Sequence, residues 1–150
     1  MKTKLSIIVV YIFVISGQAV PTPTTNDPYA EDMKTRKQIA IDCVNQVHVD
    51  VKQIEKAMHS PNELPSDNKY KQFLSCSYKK QKFQSEKGEM LYDNISDFLT
   101  RFYNRSDLKV LDKCKGITGE DDGDTAYNSL KCILRCLKEI NADSDKSSRR

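Results

Sequence analysis

Histidine is nearly absent from this chain, with two residues, His48 and His59, in 150. No two cysteines stand in a CxxC pair. Together these shortages argue against a zinc site, which draws on Cys and His ligands at short spacings. Two histidines are also too few to argue for a pH switch. His48 and Asp50 are two residues apart, so on a helix they face different sides and make no base–orienter pair. No Gly-x-Ser-x-Gly and no P-loop occurs. The acidic turn Glu120-Asp121-Asp122-Gly123-Asp124 lacks the alternating ligands and distal glutamate of an EF-hand. Its charge suits a helix N-terminus instead. The sequence therefore calls for no catalytic residue, no metal and no cofactor, and reads as a non-enzyme.

Beyond the first segment there is no long apolar run, and hence no candidate membrane span. That first segment, MKTKLSIIVVYIFVISGQA, places Lys2 and Lys4 before an uncharged apolar stretch, with Gly17 and Ala19 at the positions a signal peptidase reads. It is a three-part secretory signal, residues 1–19, cleaved after Ala19. The mature chain would be extracellular and free of any anchor. The signal carries two of the 24 basic residues and none of the 21 acidic ones, leaving 22 against 21. A balance so close to neutral offers no footprint for nucleic acid or an anionic membrane. A partner would be chosen by apolar contact.

Export makes pairing the natural state of the five cysteines, Cys43, Cys76, Cys114, Cys132 and Cys136. Five is odd, so one is free, bridges another chain or exchanges with a neighbour. Four of them lie in four different helical segments, which leaves three pairings open. Cys136 follows Cys132 by one helical turn. A buried free thiol is the simplest reading of it, with competition for Cys114 or a link between chains as the alternatives.

No window alternates as a strand would, and no internal repeat is present. Residues 20–32 hold three prolines and read as a mobile arm, and 143–150 as a polar tail. Between them, 33–142 read as one all-α domain of five to seven short helices. Ile39, Cys43, Val47 and Val51 at steps of four predict a helix over 33–47. Val51, Ile54 and Met58 predict another over 50–58, ended by Pro61 and Pro65. Asp67 is a good N-cap for a helix over 68–83, with Tyr70, Phe73, Leu74 and Tyr78 inward. Leu91, Ile95, Phe98, Leu99 and Phe102 form the clearest stripe. Ser106-Asp107 would cap a helix over 108–115, and Ala126, Leu130, Ile133, Leu134 and Leu137 line a last one over 124–140. Short helices can leave a cavity where a regular bundle would fill its seam.

At this point the chain resembles a known family, the insect odorant-binding and pheromone-binding proteins. KYKQFLSCSYKKQKF resembles the family's third-helix motif with Cys76 as its third cysteine, and CKGITGEDDGDTAYNSLKC resembles its C-terminal motif, with Ala126 in register. Cys43, Cys114 and Cys132 stand at the first, fourth and sixth cysteines. The second and fifth, which pair in the family, fall on Gln72 and Gly123. Loss of both partners of one bridge marks the subgroup called minus-C. The resemblance implies the pairs Cys43–Cys76 and Cys114–Cys132, and a compact helical bundle around an apolar cavity. It implies a secreted carrier of small hydrophobic ligands such as odorants, pheromones or lipids. Ligand lining would come from Phe73, Leu74, Tyr78, Leu91, Ile95, Phe98, Leu99, Phe102, Leu111, Leu130, Ile133 and Leu134, with Met90 beside Leu91 and a hydroxyl from Tyr78, Tyr92 or Tyr127. For any one of these residues, plain core is the commoner role. A receptor or a homodimer stays open as a further partner. The alternatives are a salivary or venom-type interaction protein on the same scaffold and a secreted helical factor without a cavity. Asn94 and Asn104 each open an N-x-Ser sequon.

Overall fold

The computed structural model describes residues 28–149. The signal segment and residues 20–27 of the arm lie outside them. Six helices follow in order: α1 (Pro28–Val47), α2 (Val51–His59), α3 (Asn68–Lys80), α4 (Tyr92–Leu99), a 3-10 helix (Asp107–Cys114) and α5 (Asp122–Ser148). Among the described residues there is no strand, only an isolated antiparallel bridge between Gln84 and Met90. None of the described helices is long and apolar enough to cross a membrane.

Helix α1 starts five residues before the predicted Met33, which moves 28–32 out of the arm. Pro28 holds the first helical position, where its fixed φ helps and its missing N–H costs nothing. Tertiary contact then rewards the extra turn: Asp32 Oδ2 accepts from Arg36 Nε at 3.0 Å and from Arg101 Nη1 at 2.6 Å. The helix ends where His48 turns to φ 57°. That reversal breaks the four-residue rhythm, and Val51, predicted inward, is 39% exposed. Asp50 caps α2 by accepting from Lys52 N, and Ile54, Ala57 and Met58 face the core.

Asp67 caps α3 as predicted, accepting from Tyr70 N at 3.1 Å. The helix stops at Lys80 rather than 83 because Lys82 takes φ 62° and both Phe83 N and Gln84 N turn back to Tyr78 O. The 108–115 segment is the largest departure. It is a 3-10 helix, and Ser106 makes no side-chain cap. Its buried residues, Leu108, Leu111 and Cys114, are three apart. That spacing stacks them on one face of a helix with three residues per turn, whereas an α-helix would fan them out. Asp121 caps α5 by accepting from Asp124 N at 2.8 Å. Burial along α5 ends at Leu137, but the helix continues through the predicted polar tail to Ser148 with its side chains largely in solvent.

Helix α3 lies at the centre, packed on α1 and α5, and the 3-10 helix joins α5 to α4. Two disulfides staple these layers: Cys43–Cys76 ties α1 to α3, and Cys114–Cys132 ties the 3-10 helix to α5. Both are the pairs the resemblance implied. Each closes a loop worth about 3 to 4 kcal/mol in the chain-entropy view. Cys136 is free and buried.

Candidate functional site

Where the resemblance would place the third bridge, Gln72 is exposed and Gly123 is buried against α3. A Cβ on Gly123 would stand 3.1 Å from both the carbon and the oxygen of the Lys71 carbonyl. Charge and amide contacts replace a covalent link here. Lys71 Nζ meets Asp124 Oδ1 at 2.7 Å and Lys79 Nζ meets Asp122 Oδ2 at 2.6 Å. The Lys71 ammonium holds the Asp124 carboxyl below its usual range.

Behind these pairs lies Gln84, 1% exposed. Its Oε1 accepts from Ser75 Oγ at 2.7 Å, and its Nε2 donates to Gly88 O at 2.9 Å and to Asp122 O at 3.0 Å. One amide thus joins α3, the turn after it and the start of α5. Gly88, at φ 87°, could not carry a Cβ without meeting the Asp122 carboxylate. On the other side, Gly119 N donates to Thr125 Oγ1 and Asn128 Nδ2 to Thr118 O, which lays residues 115–120 along the first turns of α5. Tyr92 OH donates to Cys114 O at 2.8 Å, joining α4 to the base of that segment.

Between these two walls opens a cleft of about 730 Å³, lined by residues 87–94, 115–122 and Thr125. Met90, Leu91, Tyr92 and Ile117 supply its apolar surface, and Lys87, Glu89, Asp93, Asn94, Lys115 and Glu120 surround them. Lys115 is turned aside to Asp112 at 2.8 Å, which raises its pKa. A cleft of this volume, part apolar and part polar, can take a small amphipathic molecule.

Of the twelve side chains proposed as lining, Leu91 faces this cleft. Phe102 lines two smaller hollows, one beside the C-terminal half of α5 and one beside Pro28, Tyr29 and Arg101. Phe73, Leu74, Tyr78, Ile95, Phe98, Leu99, Leu111, Leu130, Ile133 and Leu134 are buried in one continuous core. Within it Tyr78, Phe83, Phe98 and Phe102 form a chain of ring contacts with centroids 5.4 to 6.1 Å apart. The Arg36 guanidinium caps that chain, 4.4 Å from the Phe98 centroid. Of the candidate hydroxyls, those of Tyr92 and Tyr127 are used on backbone carbonyls, Cys114 O and Leu64 O. Ile117, Thr125 and Gln84 escaped sequence reasoning because they carry no periodic signal. Asn94 and Asn104 are both exposed, and Asn94 Nδ2 donates to Lys82 O at 2.8 Å.

Comparison with known proteins bears on this site. Residues 26–144 match the PBP/GOBP family. The B1 protein of Tenebrio molitor is 30% identical over 107 residues, covering 70% of this chain and 80% of that protein. General odorant-binding protein 69a of Drosophila melanogaster is 24% identical over 130 residues, covering 87% and 83%. The solved structure of a fatty acid binding protein, OBP56a, from the oral disk of the blowfly Phormia regina shares the fold, with a TM-score of 0.62 at 22% identity over 78% of this chain and 99% of that one. The matched residues span the first five helices, most of α5, both disulfides and both walls of the cleft, and the chain belongs to the PBP/GOBP family, whose members are carriers rather than enzymes.

Proposed function

We propose that this protein is a secreted carrier of small hydrophobic ligands and that the cleft between residues 87–94 and 115–125 receives them. The observation that carries the reading is the cleft itself: Met90, Leu91 and Ile117 form an apolar floor joined through Tyr92 to the core. Its volume lies within the usual range of ligand pockets. The names of the relatives support an apolar ligand, since one is called odorant-binding and another fatty acid binding. The disulfides and the apolar leader support export. In an exported chain the exposed Asn94 and Asn104 would serve as glycan acceptors, Asn94 at the cleft's edge.

Displacement of an apolar fluorophore by fatty acids and by uncharged terpenoid or aromatic volatiles tests the reading. Binding is expected for the mature protein and a drop of at least about tenfold, or 1.4 kcal/mol, for Ile117→Asp, with the helical circular dichroism retained. Unchanged affinity in that variant would move the site out of the cleft. Failure of every apolar probe to bind would overturn the carrier reading.

A further inference from the structure

The fifth cysteine does not sit apart from the disulfides. Cys136 Sγ lies 3.7 Å from Cys114 Sγ, and the sulfurs of Cys114, Cys132 and Cys136 are all within 4.8 Å of one another. All three residues are buried, so the free thiol has the disulfide as a neighbour and little access to solvent. The thiol also reaches Val110 O, at 3.5 Å.

We propose that these three sulfurs form an internal exchange centre, in which Cys136 takes over Cys114 from Cys132 and the chain interconverts between two disulfide isomers. The Cys136 thiol loses its proton and its thiolate attacks Cys114 Sγ. The Cys114–Cys132 bond breaks as the Cys114–Cys136 bond forms. Cys132 leaves as a thiolate and takes up a proton. One disulfide and one thiol stand on each side of the step, so neither oxidant nor reductant is consumed.

Geometry selects which sulfur is attacked. Cys132 and Cys136 are four apart on α5, where Cβ atoms lie about 5 to 6 Å apart. A disulfide wants them at about 3.8 Å. A Cys132–Cys136 bridge would therefore distort the helix, whereas Cys114, on a separate element, can swing between its two partners. Because the three sulfurs form a compact triangle, the thiol flanks the existing bond and does not extend its line. The exchange thus needs a small rotation of the Cys114 side chain or a slide of the 3-10 helix along α5. That slide would be felt in the cleft. Cys114 is the residue before the 115–122 wall, and its carbonyl accepts the hydrogen bond from Tyr92, which also lines the cleft. Moving the bond from Cys132 to Cys136 closes the present 3.7 Å gap between the Cys114 and Cys136 sulfurs and hands the anchor to the next turn of α5.

Burial raises the Cys136 thiol above its ordinary value. Glu139 on the same helix adds to this, while Lys113 from the 3-10 helix and Arg135 oppose it. Tyr92 also interacts with this thiol. The thiolate is scarce at neutral pH, and exchange should quicken as pH rises.

The test is a non-reducing peptide map of the wild-type protein after incubation at about pH 6 and at about pH 9, on either side of an ordinary thiol pKa, with acid quench and alkylation. A Cys114–Cys136 peptide is expected, with Cys132 alkylated in equal amount, appearing faster at the higher pH and at a rate independent of protein concentration. In Cys132→Ser refolded with oxidised glutathione as the oxidant, intact mass should show two hydrogens lost as the Cys114–Cys136 bond forms, with two equivalents of reduced glutathione released. A wild-type map that holds only Cys114–Cys132 at both pH values overturns the proposal, whether or not the variant folds. So does a folded Cys132→Ser protein that keeps both thiols. Neither readout depends on ligand binding.

Discussion

The long last helix is held to the rest of the molecule by different chemistry at its start and at its middle. At Cys132 the hold is covalent and buried, with a third sulfur in reserve. At Gly123 it is a close backbone approach, two partly exposed ion pairs and one buried amide. The difference teaches how a bridge can be dispensed with. A disulfide acts largely on the unfolded chain by limiting its freedom, and contacts in the folded state can offset its loss only where they are buried. At the Gly123 end the buried contact is Gln84, since exposed ion pairs add little.

The largest expected effects come from the covalent side. Cys43→Ser with Cys76→Ser should lower the unfolding free energy by about 3 to 4 kcal/mol, the loop-closure figure for these chain separations, read from denaturant midpoints. A loss under about 1 kcal/mol would mean that packing alone holds α1 to α3. Next comes Gln84→Ala, which strands Ser75 Oγ and two backbone carbonyls. A cost of about 2 to 3 kcal/mol is expected, and hydrogen exchange should show the 84–90 turn opening first. A near-neutral result would make the ion pairs the real fastener.

The comparison can also be inverted. Gln72→Cys with Gly123→Cys should form a third disulfide, visible as a mass loss of two hydrogens and a higher melting temperature. The gain should be smaller than the loop-closure figure, because the new Cβ crowds the Lys71 carbonyl. Two free thiols in the folded variant would break the assignment of these positions to the missing pair. The smallest effect concerns the first turns of α1. Partial burial raises the Asp32 pKa, but hydrogen bonds from Arg101 and Arg36 outweigh it and leave the carboxyl below its ordinary value. A carboxylate with a depressed folded pKa stabilises fully above its unfolded value and loses that contribution as pH falls through the folded one. Exchange protection at 28–36 should therefore fall below about pH 4, and Asp32→Asn should remove that pH dependence. Protection that stays flat through acid in the wild type would show that packing of Arg36 on Phe98 holds the turn without the ion pair.

Much of the fold was legible because helix formation depends on near neighbours. Asp67 caps as short-range chemistry requires, and the Ile95, Phe98, Leu99 stripe faces inward. What failed were the ends. Val51 turned outward because His48 reverses the backbone, and α1 reached back to Pro28 because Arg101, far along the chain, holds Asp32. The candidate site was less legible. Ten of the twelve suggested lining residues are packed in the core, since an apolar stripe marks burial without saying whether a ligand or another side chain fills the space. Ile117 and Gln84 lie in segments without period, and Thr125 is a polar residue in the first turn of α5, off its apolar stripe, so nothing local marked them.

The sequence by itself determined the helical class, most helix starts and, through cysteine spacing, the family resemblance with its two disulfides. Each rests on residues close in the chain or on a register of landmarks. Only the tertiary structure decided that 107–114 winds as a 3-10 helix, that Cys136 lies beside a disulfide, and that an open cleft stands between the 87–94 turn and the 115–122 wall. Those features come from contacts between segments distant in sequence, and the free energy that selects them belongs to the packed core rather than to any one stretch of chain.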